Sequence, residues 1–217
     1  HKLDGDCLNI MHEIRQLILK GENDTLDFKQ TITSASKIAK TMVSFANHKG
    51  GRLLIGVRDN KTLAGIRSED EKYMLGLAAD FFCNPPVQYV VNEYEFEGKI
   101  ILECIIPQGD KKPYYAKDEE GKWWVYIRVN DKSLLASKIV VEVLKNQSRQ
   151  RDTLITYTHN EQALLKYLDK NEKITLKEFC ALVNIGKWRA GKILVKLISA
   201  GVIRSHTTEK IEFYTLA

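Results

Sequence analysis

Residues 50–57 read GGRLLIGV. The stretch from Leu53 to Val57 has the length and apolarity of a central strand, and Gly56 within it marks a backbone closely approached by another element. Upstream, SASKIAKTMVSFANHK at 34–49 carries Ile38, Met42, Phe45 and Ala46 on one helical face, with Lys37, Lys40 and Lys49 off it. Gly50-Gly51 stand where that helix must end with positive φ and pass into the strand without a side-chain clash. This helix-to-strand passage is the frame to which the flanking segments attach.

Residues 7–20 place Leu8, Met11, Ile14, Leu17 and Ile18 at helical spacing, closed by Gly21. TLDFKQTI at 25–32 alternates Leu26, Phe28 and Ile32 against Asp27 and Lys29, as a strand with one outward face does. NKTLAGI at 60–66 returns from a turn, and a helix over 69–82 stops before Pro85-Pro86. Residues 87–107 form two strands about a tight turn at Glu97-Gly98, and 112–130 form two more joined at 118–121. A helix over 134–148 closes the unit, followed by the polar joint NQSRQRDT. The irregular mixture predicts α+β, a mixed α/β sandwich rather than a doubly wound parallel sheet, over residues 1–150.

Residues 151–217 read as a smaller second domain. A helix over 160–169 opens on an Asn cap, and KIT is a short strand. A helix from Thr175 carries Glu178 at capping-box spacing, and NIG turns the chain into a helix over 187–199. A hairpin follows, turning at 207–209. That order predicts a winged helix-turn-helix. In the helix over 187–199, Ala190, Ile193, Leu194 and Leu197 form the buried stripe. Lys187, Arg189, Lys192 and Lys196 make a basic face, on the helix such a fold lays in the major groove. Arg204 and Lys210 on the hairpin are placed to reach phosphates. Trp188 is read as packing. Winged helices also dock proteins, so a solvated lysine face is the plainer alternative.

Charge points the same way. The chain of 217 residues has 33 Lys and Arg against 28 Asp and Glu. Residues 153–217 hold ten of the former and six of the latter, so most of the surplus lies in the smaller domain. No apolar stretch reaches membrane length. Cys7, Cys83, Cys104 and Cys180 show no CxxC or zinc spacing, and the apolar runs around the last three fit buried reduced thiols and a cytoplasmic location. No phosphate loop, GxSxG elbow or GxGxxG is present. Of five histidines only His48 lies beside the expected groove.

Glu22 with LDFK, then SFANHKGGRLLIGVRDN, LAGI and the later KPYY, WVYIRVND and LAS, resemble in order the Schlafen-type AlbA-like domain described as DNA-binding. The resemblance covers about residues 10–140. It implies a nucleic-acid-binding lobe and, with the second domain, a bacterial transcriptional regulator. Arg128 and Lys29 are assigned to the binding surface, while Trp124 and Tyr126 are read as core. In eukaryotic Schlafens this domain type supports endoribonuclease activity through three carboxylates around a divalent metal. The matching positions are Glu22, Asp27 and Asp59, with Asp27 one methylene shorter than the family's usual Glu. Hard oxygen ligands holding Mg²⁺ or Mn²⁺ would stabilise charge on a cleaving phosphodiester.

Two readings follow. The leading one is a cytoplasmic homodimer that binds nucleic acid, DNA before RNA, without a cofactor and without a membrane, and is not an enzyme. The alternative is a metal-dependent endoribonuclease with Glu22, Asp27 and Asp59 as its catalytic ligands.

Overall fold

A computed structural model describes residues 2–149 and 154–217. The GGRLLIGV run supplies an interior strand. β1 (Leu26–Lys29) pairs in parallel with β2 (Gly50–Ile55). On its other side β2 pairs antiparallel with a hairpin strand, so the first sheet runs β1, β2, β5 (Lys99–Pro107), β4 (Val90–Phe96). A second, antiparallel sheet has the order β3 (Cys83–Asn84), β6 (Tyr115–Lys117), β7 (Trp123–Val129), β8 (Lys132–Leu135).

The first sheet is covered on both faces because alternate residues meet different helices. Leu26, Phe28 and Leu54 pack with Ile14 and Ile18 of α1 (Lys2–Lys20). Leu53 and Ile55 pack with Ile38, Met42 and Phe45 of α2 (Ala35–Ala46). Each such fully buried side chain contributes about 1.5–3 kcal/mol. α2 also packs on β7 and on α3 (Asp70–Phe81), and every one of its residues except Lys37 and Lys40 is buried. Gly50 has φ +80°, and a Cβ there would stand 2.6 Å from the Ile106 carbonyl oxygen, so both conformation and space require glycine. The hairpin turn takes positive φ at Glu97 and Gly98, the twist that two-residue hairpins prefer.

Three sequence expectations change. The span 134–148 is not one helix. Its start belongs to β8, and α4 (Lys138–Arg149) begins only after Ser137. The chain divides between Leu135 and Ala136 rather than at 150/151, because α4 packs along α7 (Lys187–Ser199) and gives Ile139 to the second core. The end of the polar joint, 150–153, lies outside the described residues. Asp27 is not outward. Thr41 of α2 and Arg128 of β7 stand over it, so the residue between Leu26 and Phe28 is buried.

In the second unit, α5 (His159–Lys170), α6 (Leu176–Val183) and α7 enclose Leu164, Leu168, Phe179, Leu194 and Leu197. β9 (Ile203–Thr207) and β10 (Glu212–Leu216) form an antiparallel hairpin. Ile174 and Tyr214 exchange backbone hydrogen bonds of 3.0 and 2.8 Å, so the expected KIT strand is a single bridge. The cap of α5 is Thr158, whose N–H donates to Glu161 at 3.1 Å, not Asn160. The capping box of α6 is as expected. The Glu178 N–H donates to the Thr175 hydroxyl (3.2 Å), and the Thr175 N–H donates to the Glu178 carboxylate (3.0 Å). Among the described residues, no helix is long and apolar enough to cross a membrane.

Candidate nucleic-acid interface

Glu22, Asp27 and Asp59 line one cavity of about 600 Å³. Lys29, Gln30 and Thr31 follow from the end of β1, Lys37, Lys40 and Thr41 come from α2, and Arg128, Asp131 and Ser133 come from the second sheet. All three acids of the alternative reading thus line the same cavity. Their engagement differs. Asp27 lies 3.6 Å from the Arg128 guanidinium and 3.6 Å from the Lys29 ammonium. It also accepts from the Phe28 N–H (2.9 Å) and, at 3.4 Å, from the Thr41 hydroxyl. Glu22 accepts from the same Phe28 N–H at 2.9 Å. Asp59 is exposed. Among the described residues no group of three or more His, Cys, Asp or Glu is arranged to hold a metal ion. With Asp27 already committed to two cations, the three acids as arranged do not fit the three-carboxylate site that the resemblance implies.

Arg128 is the main correction. It was expected on the binding surface, yet its side chain is only 2% exposed. Its guanidinium donates to the carbonyls of Asn23 (3.2 Å) and Leu26 (3.3 Å) and to the Ser133 hydroxyl (3.2 Å), and it lies 4.9 Å from the centre of the Phe45 ring. It ties β7 to the start of β1 beside Phe45 of α2, and its burial leaves it little exposed to a phosphate. Lys29 keeps a partly exposed side chain, 39%, but is shared with Asp27.

The carboxyl of Glu22 is pushed up to about 7 from its ordinary 4.5. Burial is the largest cause, followed by its hydrogen bond with Asp27 and the nearby negative charge. Between these two pH values the folded protein holds a proton that the unfolded chain releases. The stabilisation is thus full below about 4.5 and is lost as pH rises through about 7. Glu22→Gln should flatten the fall in urea-denaturation stability between mildly acid and mildly alkaline pH; an unchanged slope would remove Glu22 as its source.

Lys37 and Lys40 were missed as site residues. They are the two exposed positions of α2. Their signal was legible: they are the only charged residues in ASKIAKTMVSFA. Both also line a second cavity of about 350 Å³ with Lys117, Trp124 and Tyr126. The Lys40 ammonium sits 5.0 Å over the Tyr126 ring. Trp124, expected in the core, is 39% exposed, and its indole N–H donates to Asp118 at 2.9 Å. Tyr126 is half-buried. His48 pairs with Asp24 at 3.3 Å and does not line the first cavity. Cys83 and Cys104 are buried free thiols, both pushed up to about 12 chiefly by burial, whereas Cys7 is exposed.

On the second unit, α7 turns Ala190, Ile193, Leu194 and Leu197 inward and exposes Lys187, Arg189, Lys192 and Lys196. Among the described residues none of these four forms an ion pair with a carboxylate. Trp188 is 74% exposed rather than packed, and the Lys192 ammonium lies 4.2 Å over its ring. α4 packs along another side of the helix, where Gly191 meets Ile139, and leaves the basic face open. Arg204 and Lys210 are exposed on the hairpin.

Residues 22–137 match the family model described as Schlafen, AlbA_2. Among solved structures, the chain is similar to the N-terminal domain of a RecG-related protein from Nitrosomonas europaea. Identity is 17% and the TM-score 0.42, over 68% of this chain and 94% of that one. It is also similar to the DIP2311 protein from Corynebacterium diphtheriae, at 15% identity and TM-score 0.46, over 78% of this chain and only 32% of that one. No curated protein matches it.

Proposed function

The chain belongs to the Schlafen, AlbA_2 family, and from that premise we propose that it is a nucleic-acid-binding protein whose first partner is DNA. We read the second unit as a winged helix-turn-helix with α7 as its recognition helix and the β9–β10 hairpin as its wing. The protein acts as a cytoplasmic, homodimeric transcriptional regulator. The observation that carries this reading is the α7 face, on which four cations are exposed and, among the described residues, none is paired with a carboxylate. An unneutralised row of this kind on an exposed helix releases counterions from a phosphate backbone and gains affinity in doing so. The cavity of the first unit adds Lys37 and Lys40 to the polyanion surface.

The rival, a metal-dependent endoribonuclease, has in its favour that Glu22, Asp27 and Asp59 share one cavity. Against it stands the commitment of Asp27 to Arg128 and Lys29. Incubation of the full chain with structured RNA, with and without Mn²⁺, separates the two. The binding reading expects RNA that is retained but intact in both samples. Mn²⁺-dependent cleavage that disappears in Asp59→Ala would reverse the order.

A further inference from the structure

The two cavities described above meet at the exposed stripe of α2, since Lys37 and Lys40 line both. Strand alternation along β7 turns Trp124 and Tyr126 to the same side as Arg128, the side that α2 packs against. Lysines and aromatic rings therefore belong to one continuous track. The bond from the Trp124 indole N–H to Asp118 holds the ring by its edge, and the residue stays 39% exposed where it lines the cavity. Lys40 is held over Tyr126, between the two cavities.

We propose that this track binds single-stranded nucleic acid, with backbone phosphates on Lys37 and Lys40 and an unpaired base stacked on Trp124. The ring sets the substrate class. In a duplex each base is covered by its neighbours, so an indole face set in a groove can only receive a base that is unstacked. The rest of the cavity that Trp124 lines is mixed in charge: Asp118, Glu119 and Glu120 line it together with Lys117 and Lys122, and Lys122 lies 3.7 Å from Glu120. This surface and substrate are distinct from the duplex reading of α7, and the proposal needs only that the first unit binds nucleic acid.

The test uses the full chain, with anisotropy of a labelled oligo(dT) and of a labelled duplex of equal length. Trp124→Ala should weaken oligo(dT) binding by about 5- to 150-fold, the range for losing one base–aromatic stack, and leave the duplex within about twofold. Trp124→Phe should keep most of the affinity, because it stacks without the bond to Asp118. If Trp124→Ala does not fold, Lys37→Ala with Lys40→Ala, both at exposed positions, should also lower oligo(dT) binding more than duplex binding. Equal losses on both probes, or no loss, would overturn the proposal. Wild-type protein that binds the duplex but not oligo(dT) overturns this proposal alone. Binding of oligo(dT) but not duplex, with the Trp124 dependence, upholds it and overturns the α7 reading. Binding of neither ends both.

Discussion

Arg128→Ala is expected to destabilise the first unit by about 3–5 kcal/mol, the usual cost of removing one partner from a buried ion pair. The loss is large because the side chain acts at several points. Without the guanidinium, Asp27, itself 4% exposed, keeps a buried charge whose remaining cation is the half-solvated Lys29. The carbonyls of Asn23 and Leu26 each lose one of two donors at the same time, keeping the backbone bonds they exchange with each other. For a unit of this size the melting temperature should fall by roughly 10–20 °C. Arg128→Lys should not restore it, since one ammonium cannot reproduce a planar fork that reaches two carbonyls, a hydroxyl and a carboxylate. Chemical denaturation followed by circular dichroism measures this. A loss below about 1 kcal/mol, with weakened nucleic-acid binding, would return Arg128 to the binding surface where the sequence reading had put it.

Arg189→Ala combined with Lys192→Ala should do the opposite, leaving stability nearly unchanged and removing affinity. Both side chains are exposed and lie off the stripe that packs, so each substitution should move stability by no more than about 0.5 kcal/mol. Duplex binding should weaken by about tenfold or more, and the log–log salt slope should become shallower by about two, one for each phosphate contact removed. Loss of Lys192 also strips the cation from the Trp188 ring, so a shift in tryptophan emission offers an internal check that the face has changed. Unchanged affinity and slope would mean that α7 is merely a solvated helix.

Local signals were the legible ones. Gly50-Gly51, the Glu97-Gly98 turn and the Thr175–Glu178 capping box each act through neighbours within a few residues, and each is found as read. What stayed hidden depends on partners distant in sequence. Alternation in LDFK correctly separated Asp27 from Leu26 and Phe28, but only the packing of α2 makes Asp27's face an interior. A strand pattern could likewise set the face of Arg128 without revealing that β1 lies opposite. The amphipathic pattern of α4 announces a helix and not which core it joins, so the domain boundary came out fifteen residues late. β8 was hidden because KSLL is a short edge strand whose last two residues, Leu134 and Leu135, were read as the start of that helix. The grouping of Glu22, Asp27 and Asp59 came from resemblance to a family, and no spacing in the sequence places them in one cavity.

The central claim is that the exposed cations of α7 are presented to phosphates. It is tested most directly by the affinity of the wild-type full chain for duplex DNA as salt is raised. The account predicts tight binding at low salt and a straight log–log decline whose slope corresponds to about four or more released counterions. Affinity that is absent at low salt, or that does not change with salt, would contradict it.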